Sequence, residues 1–124
     1  MCKLCLQEIE TTEHILVQCV YARQVWWQCS SRLRVQILMP TTSDTLENWW
    51  LAVRERFRDK QRKAVDSLVT LICWSLWKQR NARVFLNIPE QVRPERLVEL
   101  IGEEFHLWRL ARLEEGGRHN ISRE

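Results

Sequence analysis

The chain has 124 residues, of which 45% are apolar, and its nineteen basic and sixteen acidic side chains leave a net charge of +3. A chain of this length forms one ordinary domain, which buries roughly two thirds of its surface without needing a disulfide scaffold. Its three glycines and three prolines exclude collagen-like and low-complexity classes. The unusual counts are seven tryptophans and five cysteines, an odd number that intramolecular disulfides alone cannot pair.

The N-terminal residues contain no apolar run of the kind that a signal peptide needs. The acidic Glu8, Glu10 and Glu13 also argue against a transit peptide. The longest uncharged run, residues 67–77, is shorter than the roughly 18 to 20 apolar residues of a bilayer span. We therefore expect an intracellular protein, nuclear or cytoplasmic, that does not use a membrane. In that reducing setting, clustered cysteines are typical of metal binding or catalysis.

Four residues with metal-ligating side chains lie within the first twenty positions, in the spacing Cys2-x2-Cys5-x8-His14-x4-Cys19. Two thiolates separated by two residues fit one tight turn and reach one ion at about 2.3 Å. The imidazole and the third thiolate then complete a tetrahedron, which favours Zn²⁺ in a structural role, because no coordination position stays open for catalysis. The alternative is that the four residues are ordinary core-filling side chains.

The spacing between the last two ligands makes a geometric demand. Five positions on a regular α-helix correspond to about 140° of rotation, so His14 and Cys19 cannot both face one ion from such a helix. The sequence therefore predicts a short helix from about Thr12 to Gln18, capped by Thr11, that loosens before a turn at Cys19.

The predicted organisation is a zinc knuckle over residues 1–20, packed on a helical bundle over residues 21–117. A flexible tail follows over residues 118–124, and the whole forms one compact domain. Zinc binding contributes on the order of 10 kcal/mol in small zinc modules. We therefore expect Cys5→Ser to melt the knuckle and to leave the helices largely intact.

Four helices are predicted after the knuckle, which makes the fold class an all-α bundle of four to five helices. No run alternates apolar and polar residues for long enough to predict a sheet. In each helix the apolar residues recur at i, i+3 and i+4, which places them on one face. In chain order these residues are Ala22, Val25, Trp26, Cys29 and Leu33; Leu46, Trp49, Trp50, Val53 and Phe57; Val65, Leu68, Val69, Leu71, Ile72, Leu76 and Trp77; and Leu97, Val98, Ile101, Phe105 and Trp108.

Local signals place the helix boundaries. Asp44 with Glu47 predicts a capping box at the start of the second helix. The polar residues 58–62 predict the separation of the second and third helices, although a single bent helix is the alternative. Pro94 fits the first position of the last helix, and Gly116-Gly117 predicts its end.

The remaining thiols and the tryptophans are mostly predicted to be packing residues. Cys29 and Cys73 lie on apolar helical stripes, where burial is the usual role of a cysteine. Trp27 falls beside its stripe, so it is a candidate for base stacking, and Trp74 is left undecided. Core or partner packing is predicted for Trp26, Trp49, Trp50, Trp77 and Trp108.

Two stretches carry a family resemblance. The four ligands come with residues 13–16, EHIL, and residues 21–26, YARQVW, while residues 74–85 read WSLWKQRNARVF. Together they resemble the zinc-binding domain C-terminal to the reverse transcriptase of plant LINE-type (non-LTR) retrotransposons and the Trp-x2-Trp-x2-Arg-Asn-x3-Phe segment that follows it. Leu6 stands where that family often has Gly, and Val20 where it often has Pro. The resemblance implies a retroelement origin, a fragment cut from a longer polyprotein, and an accessory, nucleic-acid-associated role.

Nucleic-acid binding is the first functional hypothesis. Basic residues that recur every four positions predict one stripe able to contact phosphates. The alternative is that they pair with neighbouring acids on a solvated helix face. The net charge of +3 predicts weak, salt-sensitive binding to single-stranded RNA or DNA. The stripe comprises Arg54, Arg58 and Arg62, with Lys78, Arg80 and Arg83 as its extension.

A protein-interaction module is the second hypothesis, with a new partner or self-association through exposed tryptophan and leucine. If the arginines share one face of the structure, nucleic acid is favoured; if tryptophan and leucine do, a protein partner is. An enzyme acting on a small molecule is not expected, because His106 and His119 lack a nucleophile or paired carboxylate at a useful spacing.

Overall fold

A computed structural model of the chain describes residues 2–6, 9–35, 37, 39–41, 45–85 and 92–123, without the side chains of residues 85 and 112–123. Its elements are a π-helix at His14–Gln18 and four α-helices: α1 Val20–Leu33, α2 Leu46–Glu55, α3 Asp59–Phe85 and α4 Pro94–Arg123. No strand occurs among the described residues, and the predicted all-α class is confirmed. Within the same residues, no helix combines the length and the apolar character that crossing a membrane requires.

The core forms where the apolar stripes of the helices meet. The Trp26 and Trp49 rings lie edge to face, with their centroids 4.6 Å apart and their planes at 62°. The Trp26 indole Nε1 donates to the Leu16 carbonyl at 2.7 Å, so the π-helix is bonded to the centre of α1. The N-terminal segment and the helices therefore share one core. Its largest fully buried side chains are Trp26, Trp49, Leu68, Ile72, Leu76, Ile101, Val17, Val25, Val53, Val69, Cys2 and Cys19.

Helix α2 begins on contacts to its own cap and to the N-terminal segment. The Thr45 hydroxyl accepts from the Asn48 amide at 3.2 Å, so Thr45 is the N-cap. The predicted capping residue Asp44 lies outside the described residues. The Glu13 carboxylate accepts from the Leu46 amide, and a negative charge at a helix N-terminus is favourable because of the helix dipole.

The predicted separation of the second and third helices is confirmed, but it lies earlier in the chain than residues 58–62. Helix α2 ends at Glu55 and α3 begins at Asp59. Arg62, in the first turn of α3, donates its Nε to the carbonyl of Arg54, the basic residue in the last turn of α2, at 3.1 Å. Arg54, Arg58 and Arg62, predicted to form one basic stripe, therefore do not lie on one continuous helix, because the chain leaves the helix between them.

Helix α4 starts at Pro94, as predicted, but it does not stop at Gly116-Gly117 and runs on to Arg123. Two helical glycines cost about 1 kcal/mol each relative to alanine, and without a following proline that penalty weakens a helix rather than ending it. Trp108, predicted to pack in the core or against a partner, lies outside the core: it is 37% exposed and donates to the Glu104 carboxylate at 3.1 Å.

Candidate metal centre

The structure brings the four predicted ligands into one cluster. One donor atom from each of Cys2, Cys5, His14 and Cys19 lies within 4.8 Å of the other three, an arrangement that can hold a metal ion. The Cys2 and Cys19 sulfurs are 3.9 Å apart, and the Cys5 sulfur is 3.3 Å from the His14 Nε2. Cys2 and Cys19 are fully buried and His14 nearly so, whereas Cys5 is half-buried at the surface.

These two distances are close to the edges of a small tetrahedron. Ligand bonds of about 2.3 Å to sulfur and about 2.0 Å to nitrogen give S–S edges of about 3.8 Å and S–N edges of about 3.6 Å. A disulfide would need about 2.05 Å between sulfurs, and none of the five cysteines forms one. The donor set and its spacing therefore suit a tetrahedral metal site.

The π-helix resolves the spacing between His14 and Cys19. The Cys19 amide donates to the His14 carbonyl at 2.7 Å, a bond across five residues that widens the turn and brings the two side chains to one side. Cys19 itself adopts an extended conformation, with ψ at 138°. The Thr11 hydroxyl accepts from the His14 amide at 3.0 Å. The predicted cap at Thr11 and the loosening before Cys19 are thus both confirmed.

A tight turn carries the first two ligands. The Leu6 amide donates to the Cys2 carbonyl at 2.9 Å, and the Leu4 amide points to the Cys2 sulfur at 3.4 Å. Leu6 closes this turn in the left-handed region, at φ 62°. A side chain there costs about 1–2 kcal/mol relative to glycine, which is a physical reason for the glycine common at this position in the resembled family.

The thiols of the cluster would lose their protons on binding a metal cation. Burial raises the pKa of the Cys19 thiol to about 12, and the neighbouring Cys2 adds to the rise. The amides of Ala22 and Tyr21, at the start of α1, lower this pKa and so favour the thiolate. A bound divalent metal ion deprotonates coordinating thiols outright. The Cys19 thiolate then lies at the N-terminus of α1, where the helix dipole stabilises a negative charge.

Arg80 and Glu10 tie the metal turn to α3. The Glu10 carboxylate accepts from the Arg80 Nη2 at 2.6 Å and Nε at 2.9 Å, and it also accepts from the Lys3 amide at 3.2 Å. Arg80 is further bonded to Asn81 at 3.0 Å. Sequence reasoning missed Glu10, because its partner is seventy positions away and no local pattern marks the pair.

The other predicted phosphate-contacting residues make contacts of their own. Arg54 pairs with Asp66 at 3.1 Å at the α2–α3 junction. Arg58 is exposed between these helices, and Lys78 lies over the Trp74 ring at 5.8 Å. Arg83, the last of the set, donates to the backbone of the metal turn. The structure therefore joins Arg80 and Arg83 to the metal cluster, whereas Arg54 and Arg62 meet at the junction of α2 and α3.

An apolar groove lies beside the cluster. It has a volume of about 380 Å³, and Trp74, which is 55% exposed, is one of its lining residues. Cys73 also faces it, whereas Cys29 is fully buried, as predicted. Burial raises the pKa of both thiols to about 12, which makes them poor nucleophiles. The lining residues are Thr12, Leu16, Leu46, Trp50, Thr70, Cys73, Trp74 and Trp77.

Trp27 is also exposed. It is 61% exposed on α1 and lines a separate hollow of about 480 Å³ with Arg23, Met39, Pro40 and other residues. Its exposure agrees with the prediction that it falls beside the packing stripe.

No family model, curated protein or solved structure matches this chain. The likeness to the plant LINE-type zinc-binding domain therefore stays a prediction from the motif.

Proposed function

We propose that the chain is a non-catalytic, intracellular module that Zn²⁺ holds in its folded form. The observation that carries the proposal is the single cluster formed by Cys2, Cys5, His14 and Cys19. Three thiolates and one imidazole in a tetrahedron are typical of structural zinc, and all four positions come from the protein. A site closed in this way holds a fold together and leaves no place for a substrate or an activated water.

Native mass spectrometry of the full chain after zinc-replete expression tests this role. We expect one zinc per wild-type chain, and one per Cys73→Ser chain, which loses a thiol outside the cluster. Cys5→Ser should carry none, because the closed tetrahedral site needs all four ligands and the variant supplies only three. Wild-type protein free of metal would contradict the proposal, as would one zinc per chain in Cys5→Ser.

Besides zinc, the proposed module binds a protein partner. The groove beside the metal cluster favours an apolar segment of that partner. Trp50, Trp74 and Trp77 share this groove with Leu16 and Leu46. Apolar surface around a half-exposed tryptophan is typical of interaction sites. Of the basic residues predicted to contact phosphates, Arg80 and Arg83 donate to the N-terminal segment.

Single-stranded RNA or DNA is the second candidate, because Trp74 is exposed and Lys78 lies over its ring. An aromatic ring with an adjacent cation can stack a base and contact its phosphate. The retroelement resemblance also implies this partner. Association with nucleic acid through one such pair would be weak and salt-sensitive.

A salt titration with labelled single-stranded RNA and DNA separates the two candidates. Under the protein-partner proposal, the wild-type chain binds neither oligonucleotide at low salt. Binding that weakens with salt, and that is lost in Lys78→Ala and Trp74→Ala but retained in Arg96→Ala, would replace that proposal with the nucleic-acid role. Arg96 is a suitable control because it is an exposed cation on α4 that pairs with Glu99.

A further inference from the structure

Arg83, near the end of α3, reaches the turn that carries the first two metal ligands. Its Nη1 donates to the Lys3 carbonyl at 2.8 Å and to the Leu4 carbonyl at 3.2 Å. Its Nη2 donates to the Val92 carbonyl at 3.3 Å, just before α4. These bonds hold the metal turn against two helices at once, and Leu4 is the residue whose amide points to the Cys2 sulfur.

The guanidinium is also held from the side of the last ligand. It lies over the Tyr21 ring, with 5.0 Å from its central carbon to the ring centroid, and Tyr21 follows Cys19 by two positions. The Tyr21 hydroxyl donates to the same Val92 carbonyl at 2.5 Å. Planar stacking combined with a fork of donors fixes an arginine in one orientation, which a lysine cannot reproduce.

Arg83 also carries a charge opposite in sign to that of the metal-bound site. Zn²⁺ with three thiolates and a neutral imidazole carries a net charge of −1. The nearby Arg80 is already neutralised by Glu10. Among the described residues, by contrast, Arg83 forms no ion pair with a carboxylate.

We propose that Arg83 is a positioning residue of the metal centre: it holds the Cys2–Cys5 turn in ligating geometry and offsets the net negative charge of the metal-bound cluster. This inference rests on the proposed zinc role. It predicts that metal binding and the Arg83 contacts stabilise each other. An arginine that merely tied α3 to the start of α4 would be equally important with and without zinc.

The test compares the zinc affinity of full-length wild type, Arg83→Met, Arg83→Lys and Arg96→Met by competition with a chelator. Residues that hydrogen-bond the metal ligands or the turn that carries them typically contribute 10–100-fold in affinity, so we expect Arg83→Met to bind zinc about 10–100-fold more weakly. Arg83→Lys keeps the charge but loses the stacked fork and should fall between. Arg96→Met, an exposed arginine on α4, should match the wild type.

A second readout separates positioning from general stability. Each variant is unfolded with and without saturating zinc, and the destabilisation by Arg83→Met should be larger with zinc. Equal destabilisation in the two states, or unchanged zinc affinity in Arg83→Met, would overturn the inference. If Arg83→Met does not fold, the comparison uses Arg83→Lys. A zinc affinity equal to that of the wild type in Arg83→Lys would also count against the inference. Wild-type protein that binds no zinc would overturn the proposed function itself.

Discussion

Cys5→Ser removes one ligand. In this variant the helices and the N-terminal segment should unfold together, in a single thermal transition at a lower Tm than in the wild type. Sequence reasoning predicts that the helices survive this change, but the structure favours the opposite. Leu4, Ile15, Leu16 and Val17 are between 0% and 7% exposed and belong to the common core. The segment cannot leave without uncovering Trp26, whose indole is bonded to the Leu16 carbonyl.

The size of the effect follows from these contacts. Burying one such side chain contributes about 1.5–3 kcal/mol, so the four contribute about 6–12 kcal/mol. The free energy of unfolding of a whole domain is of similar size, about 5–15 kcal/mol. A bundle without the segment would have almost no stability left. Free zinc at about a thousand times its Kd adds about 4 kcal/mol. Losing it should lower the Tm by about 12–20 °C in a chain of this length.

The assay is thermal unfolding in saturating zinc, followed in parallel by far-UV circular dichroism and tryptophan fluorescence. Cys73→Ser is the matched control, because it removes a thiol that is not a ligand and should retain the wild-type Tm within a few degrees. Wild type with excess chelator should resemble Cys5→Ser. Two separate transitions, or helices in Cys5→Ser that melt at the wild-type temperature, would refute the reasoning.

Three further predictions address single residues. Leu6→Gly should raise the free energy of unfolding by about 1 kcal/mol over Leu6→Ala, because only glycine relieves the left-handed backbone; denaturant titration giving equal stabilities would contradict this. The pKa of Tyr21, the single tyrosine, is raised to about 12 by burial, so the tyrosinate absorbance should appear near that pH and not near 10. The Arg80 hydrogen bond lowers the pKa of Glu10 below 4.5, so the stabilisation from this pair is complete above pH 4.5 and is lost as the pH falls through the lower folded value. Glu10→Gln should therefore cost about 1–2 kcal/mol at neutral pH and nothing once wild-type Glu10 is protonated, and a difference that persists in acid would count against the pair.

Local patterns were sufficient to predict much of this molecule. Apolar residues at helical spacing identify the four helices, because a helix must bury one face whatever it packs against. The spacing of Cys2, Cys5, His14 and Cys19 predicts the cluster for a similar reason. A tight turn and one distorted helical turn, both local in sequence, already place most of the donor atoms.

What could not be predicted depends on contacts between distant parts of the chain. Arg80 and Arg83 resemble a phosphate-binding pair in the sequence, yet their partners lie about seventy to eighty positions away. Helix ends were also misplaced, since the residues after Glu55 leave the helix without a strong breaker and Gly116-Gly117 does not end one. In both cases packing outweighs a modest local preference.

The central claim is that one Zn²⁺ is held by three cysteines and one histidine, and X-ray absorption at the zinc edge of the purified full-length chain tests it most directly. The account predicts a first shell of three sulfurs at about 2.3 Å and one nitrogen at about 2.0–2.1 Å, with the same shell in Cys73→Ser, whose missing thiol lies outside the cluster. A first shell dominated by oxygen or nitrogen, or a sulfur count that falls in Cys73→Ser, would contradict it.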